Sequence, residues 1–193
     1  MRFVLFAVAA LACGLSTARA QDAPRVMFET TRGGFVVELA PDKAPKTVAN
    51  FLQYVEDGHY YRTIVHRVVP DRVIQGGGYS RYFNERPTRK PVPYEGANGL
   101  SNERGTIAMA RGPDPDSAAA QWYVNLADNS DLDHVDNDLG VRPGYVVFGR
   151  VIEGMETVDA IGAGETGAGG PFESEVPAEP IVIEDATIVK GGE

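Results

Sequence analysis

The sequence predicts a mainly β domain with two helices, folded either as a sandwich or as a closed barrel. Three observations predict it. Glycine (22) and proline (13) are plentiful and scattered along the chain, which divides it into many short segments. Between them stand short runs of β-branched and aromatic residues, the composition of pleated, half-buried strands. Only one segment carries a strong helical stripe, and neither an internal repeat nor an inter-domain linker divides the chain.

Taken in order, residues 1–20 read as a signal peptide, and 21–193 as a single domain. Arg2 supplies a positive start, residues 3–12 are an unbroken apolar run, and Ala18-Arg19-Ala20 gives the small-x-small pattern that a signal peptidase cuts. The run is too short to span a bilayer, so export to the periplasm or the medium is expected, without membrane insertion. Cys13 after Ala10-Leu11-Ala12 loosely resembles a lipoprotein site, but leucine is the wrong residue directly before the small one.

Residues 26–31 and 35–40 are predicted strands joined by Gly33-Gly34 into a hairpin. Pro45 opens a helix in which Val48, Phe51, Leu52 and Val55 form one apolar stripe, and Gly58 ends it. Strands are predicted at 64–69 and 73–75, the second closed by Gly76-Gly77-Gly78. A proline-rich surface loop with a basic patch (Arg86, Arg89, Lys90) follows over 79–104. Further strands are expected at 106–110, 122–126, 145–151 and 181–189, with a short helix at 155–161. The Gly-, Glu- and Pro-rich stretch 162–180 reads as a mobile loop.

Charge and cysteine content exclude whole classes of function. The chain carries 18 basic against 27 acidic residues, net −9, and cleavage after Ala20 removes Arg2 and Arg19 to leave −11. Such an excess argues against nucleic acid, whose phosphates demand a basic face. Cys13 is the only cysteine, so the domain has no disulfide, no thiolate nucleophile and no CxxC redox pair. Residues 162–167 match GxGxxG but follow a helix and open none, which argues against dinucleotide binding. His59, His66 and His134 show no metal-ligand spacing. The acidic run Asp128, Asp131, Asp133, Asp136 and Asp138 lacks the glycine and terminal glutamate of a calcium loop and reads as a solvated face. Ser80 and Ser101 lack the flanking glycines of a nucleophile elbow.

One ordered set of motifs remains. His66-Arg67-Val68-Val69-Pro70 leads into Val73-Ile74-Gln75-Gly76-Gly77-Gly78, then Gly105-Thr106-Ile107-Ala108-Met109-Ala110-Arg111, then Ser117, Gln121-Trp122-Tyr123-Val124-Asn125, Leu132-Asp133-His134 and Val146-Val147-Phe148-Gly149-Arg150-Val151. With the helix Pro45-Lys46-Thr47-Val48-Ala49-Asn50-Phe51, this set resembles the cyclophilins, and especially their bacterial exported branch, over nearly the whole of residues 21–193. The resemblance implies a closed eight-stranded antiparallel barrel capped at each end by a helix. It implies peptidyl-prolyl cis-trans isomerase activity without metal or organic cofactor, on proline-containing unfolded or partly folded polypeptides, by a monomer.

The resemblance also assigns residues. Arg67 matches the family's catalytic arginine, and Gln75 and Gln121 match glutamines that hold substrate backbone and steady the arginine. Val73, Tyr123 and Leu132 match the apolar socket for the proline ring, Ala110 and Arg111 match backbone-contacting positions, and Arg72 and Tyr145 stand at the floor and rim. His66 reads as a hydrogen-bonded interior histidine, and alternation turns Trp122 away from Tyr123 into the interior.

Four departures from the family pattern stand out. Arg72 replaces an aromatic floor residue, Tyr123 replaces a phenylalanine and brings a hydroxyl that needs a partner, Asp131 replaces an aromatic residue, and Val141-Arg142-Pro143 is a small insertion. A second cation near Arg67 weakens the socket unless the Arg72 stem folds over the proline and its head goes to Asp131 or solvent. Arg72 and Asp131 therefore leave open a proline-peptide binding module that turns over poorly.

Overall fold

A computed structural model describes residues 23–189; the signal segment, its cleavage site and Cys13 lie outside the described residues. Along the chain run β1 (Arg25–Thr30), β2 (Gly33–Leu39), α1 (Pro45–Glu56), β3 (Thr63–Val69), β4 (Val73–Ser80), β5 (Thr106–Met109), β6 (Trp122–Asn125), β7 (Val135–Asn137), β8 (Gly140–Arg142), β9 (Val147–Glu153), α2 (Met155–Gly162), β10 (Thr166–Gly169), β11 (Phe172–Pro177) and β12 (Ile181–Val189). Eight strands close into an antiparallel barrel in the order β1-β12-β3-β4-β6-β5-β9-β2. Because β1 pairs with both β12 and β2, the sheet has no free edge, and the choice between sandwich and barrel falls to the barrel.

The interior is built from rings. Phe28 lies 5.0 Å from Phe35 and 5.0 Å from Trp122, and Phe51 of α1 lies 5.0 Å from Phe148. Trp122 is fully buried, as strand alternation requires. Each such side chain contributes about 1.5–3 kcal/mol by leaving water. Helix α1 buries Thr47, Val48, Phe51, Tyr54 and Val55, so the expected stripe holds except that Leu52 is only half-buried. Its N-terminus has no local side-chain cap; the Glu95 carboxylate accepts instead from the N–H of Lys46 (3.1 Å) and Thr47 (2.8 Å). Helix α2 adds Val158 and Ile161 to the same core.

Several sequence expectations need correction. Strand β4 runs through its glycines to Ser80 instead of stopping at Gln75, and β9 spans 147–153 instead of 145–151. The stretch 162–180 is not a mobile loop. It finishes α2 and then folds as a two-stranded ribbon of β10 and β11. Backbone pairing and one half-buried aromatic anchor, Phe172, make this ribbon, and neither shows in a Gly- and Glu-rich composition. A second ribbon, β7 with β8, carries the Val141-Arg142-Pro143 insertion.

Candidate active site

A bulge in β3 sets the site. Val65 pairs with Gly76 and Arg67 with Gln75, so β3 carries one extra residue, His66, against β4. Such a bulge re-aims the side chains beside it. Arg67 thereby heads a row that runs through Gln75 on β4, Tyr123 on β6, Ala108 on β5 and Val147 on β9. Directly paired residues share a face of the sheet. The next row, Ile74, Val124 and Ile107, is fully buried in the barrel, so the Arg67 row faces outward.

On that outer face Val73, Ala108, Tyr123 and Val147 form a buried cluster separate from the barrel core, with Val69, Leu100, Ala110, Leu132 and Tyr145 packed against it. Above it opens a pocket of about 420 Å³ lined by Arg67, Arg72, Val73, Gln75, Ala110, Arg111, Tyr123, Leu132 and Tyr145. All nine belong to the set drawn from the sequence. Gln121, the tenth, lines an adjoining pocket of about 300 Å³ that shares Gln75, Ala110 and Arg111 with the first.

Polar side chains fix the arginine. Arg67 Nη1 donates to Gln75 Oε1 at 3.3 Å, and Gln75 Nε2 donates to Gln121 Oε1 at 3.0 Å. Gln121 reaches this position because residue 78 is glycine: a Cβ there would stand 2.6 Å from Gln121 Cδ. From the far side, Arg67 Nε donates to Glu175 Oε2 at 2.7 Å, a partner that sequence reasoning missed because its ribbon was not foreseen.

Two of the departures from the family pattern compensate each other. Arg72 Nη2 donates to Asp131 Oδ2 at 2.5 Å, so the extra cation is turned onto the extra carboxylate. The hydrogen bond from Arg72 holds the Asp131 carboxyl below its usual pKa. The Tyr123 hydroxyl donates to Asn102 Oδ1 at 2.6 Å, and burial pushes its pKa far up, so it stays un-ionised. Asn102 is itself held by Asp133 Oδ1, which accepts from its backbone N–H at 2.6 Å and its Nδ2 at 2.8 Å. A buried asparagine in a loop gives no sequence signal of this role.

Arg111 acts as a strut. Its guanidinium donates to the carbonyls of Gly112, Pro113, Pro143 and Gly144 and lies 4.8 Å from the Tyr145 ring centroid. Leu132 ends a short 3-10 turn, and its carbonyl accepts from Tyr145 N–H at 2.9 Å. Gly144 is needed there, since a Cβ would meet the Asp133 carbonyl carbon at 2.3 Å. His66 is buried as expected, but its Nδ1 finds no hydrogen-bond partner among the described residues. Rings pack against it, with Tyr79 at 4.9 Å and Phe172 at 5.6 Å. Burial pushes its pKa down to about 4, so it is neutral near pH 7.

The acidic run is dispersed: Asp128 accepts from Arg104 N–H, Asp131 pairs with Arg72 and Asp133 with Asn102. Among the described residues no three His, Asp or Glu side chains converge as metal ligands.

Comparison with known proteins gives one answer. The family described as cyclophilin type peptidyl-prolyl cis-trans isomerase/CLD matches residues 25–188. Peptidyl-prolyl cis-trans isomerase A of Dickeya dadantii is 46% identical over 165 residues, covering 86% of this chain and 84% of its own. Peptidyl-prolyl cis-trans isomerase B of Escherichia coli is 43% identical over 163 residues, covering 84% of this chain and 98% of its own. A crystal structure of a cyclophilin type peptidyl-prolyl cis-trans isomerase from Cryptosporidium parvum superposes with a TM-score of 0.70 at 25% identity, covering 88% of this chain and 99% of that one.

Proposed function

The chain belongs to the cyclophilin-type peptidyl-prolyl cis-trans isomerase family, and we propose that it accelerates Xaa-Pro isomerisation in proteins folding after export, with Arg67 acting on the twisting bond. The observation that carries this reading is the guanidinium of Arg67, steadied by Gln75 at the wall of an apolar socket.

Resonance in the C–N bond sets a rotation barrier of ~18–20 kcal/mol. Xaa-Pro bonds populate both isomers yet exchange over tens of seconds, slowly enough to limit folding. As the bond twists, conjugation is lost and the proline nitrogen regains a lone pair. A fixed cation beside that nitrogen stabilises the twisted state more than either planar one, which is differential binding of the transition state. Arg67 supplies a planar cation on a rigid fork of donors.

The socket formed by Val73, Tyr123 and Leu132 takes the proline ring, while Ala110, Gln75 and Gln121 stand where the flanking backbone passes. Because the Tyr123 hydroxyl is tied to Asn102, the ring serves the socket as a phenylalanine does. The Arg72–Asp131 pair does the same at the floor, keeping a second cation off the proline nitrogen. Catalysis of this kind needs no metal or organic cofactor.

Arg2, the apolar run 3–12 and Ala18-Arg19-Ala20 support export to the periplasm or the medium, with the enzyme starting at Gln21. The acidic charge supports clients that are polypeptides rather than polyanions. Expression of the full chain followed by intact-mass measurement of the extracytoplasmic fraction tests the location. A mass starting at Gln21, with isomerase activity in that fraction, is expected. A chain retaining residues 1–20, or one starting at a lipid-modified Cys13, overturns it.

A further inference from the structure

The ribbon of β10 and β11 places a carboxylate on the arginine from outside the barrel. Its turn sits on Phe83, with a Cβ on Gly170 only 2.2 Å from that ring. Phe172 anchors its start, stacked on His66 at 5.6 Å and edge-on to Tyr79 at 5.1 Å. Between the pairs Gly167–Val176 and Gly169–Phe172 the register slips, leaving three residues of β11 opposite one of β10. Glu175 lies in that bulge with φ 66°. A residue with a Cβ enters this left-handed region only when its surroundings hold it there, and glycine or asparagine is the usual occupant. Such conformations gather at functional sites. Here the bulge turns the Glu175 carboxylate onto Arg67 Nε at 2.7 Å.

We propose that Glu175 is a positioning residue for Arg67: the ribbon exists at this place to hold one edge of the guanidinium while Gln75 holds another. An arginine on the outer face of a strand has a long, freely rotating stem. One contact at 3.3 Å, Nη1 to Gln75, leaves its plane free to swing. The second contact, through Nε, fixes the plane and leaves Nη2 without a partner among the described residues, ready for the proline nitrogen. This inference rests on the proposed role of Arg67 and adds the group that orients it.

Glu175→Gly tests it, because glycine relieves the backbone while removing the carboxylate. In the full domain the melting temperature stays equal or rises, while kcat/KM on an Xaa-Pro peptide falls about 3- to 5-fold, the worth of one solvent-open ion pair, and falls in kcat more than in KM. The Nε–H resonance of Arg67 shifts and broadens in ¹⁵N spectra as the guanidinium loosens. Glu175→Gln, which keeps an acceptor, restores part of both. An unchanged kcat/KM with an unchanged Arg67 resonance overturns the inference, as does an activity loss that only follows a drop in melting temperature. If the wild-type protein is inactive, the isomerase reading of the site fails instead, and the Arg67 resonance in the Glu175→Gly variant still decides whether Glu175 orients the arginine.

Discussion

Adding a single methyl group at residue 78 should lower activity without harming the fold. Gly78 has an ordinary negative φ, so alanine meets no backbone strain there. Its Cβ, however, would stand 2.6 Å from Cδ and Nε2 and 2.7 Å from Cγ of Gln121. These atoms are the far end of a flexible side chain, so Gln121 swings away and the protein does not unfold. What is lost is the 3.0 Å hydrogen bond from Gln75 Nε2 to Gln121 Oε1, and with it the restraint on the Gln75 oxygen that receives Arg67 Nη1. One such bond has a net worth of about 1 kcal/mol. That corresponds to about a fivefold loss of kcat/KM in a peptide isomerisation assay. Chemical denaturation should show equal or slightly greater stability, since Gly→Ala restricts the unfolded chain by about 0.4–1 kcal/mol. In a Gln121→Ala background the added methyl should have no further effect, because the two changes remove one interaction. Full activity in Gly78→Ala, or an undiminished effect of that change in the Gln121→Ala background, refutes the reasoning.

Two further predictions follow from buried groups. The unfolded chain takes up a proton on His66 near pH 6.5, whereas the folded protein resists doing so until about pH 4. Stability should therefore fall as pH drops through that window, by roughly 2–3 kcal/mol, and His59, whose pKa is also lowered by burial, acts in the same direction. Melting curves from pH 7 to 4 should be flatter for His66→Phe, which keeps the ring stack; an equal slope contradicts the assignment. Tyr123→Phe removes the 2.6 Å hydrogen bond to Asn102 and should cost about 1 kcal/mol in denaturant titrations while kcat/KM stays near wild type. A large loss of activity there would mean that the hydroxyl, not the ring, serves the substrate.

The alternation Val73, Ile74, Gln75 and Trp122, Tyr123, Val124 already told which residues face in and which face out, because a strand has period two whatever it pairs with. Closure of the sheet was legible only through the resemblance, because the pairing of β1 with β12 joins residues far apart in sequence and leaves no local mark, so the residues alone left sandwich and barrel open. The site's apolar half was legible by resemblance, and so was the escape of Arg72 toward Asp131, because two unlike charges at one rim have an obvious solution. Glu175 was not. Its ribbon lacks alternation, its pairing skips register, and its carboxylate reaches Arg67 only through a left-handed bulge that no propensity favours for glutamate. Asn102 was hidden for a related reason: its role is a buried side-chain network assembled from three loops and strands, which composition does not reveal.

Whether Arg67 acts on the twisting bond is decided by kcat/KM of Arg67→Ala and Arg67→Lys. Arg67→Ala should fold and show on the order of 10²-fold lower kcat/KM on an Xaa-Pro peptide, as expected when a preorganised donor to the transition state is removed. Arg67→Lys should recover little, since a point charge on a flexible stem cannot take up both the Gln75 and Glu175 contacts. Wild-type activity in the alanine variant would contradict the mechanism outright.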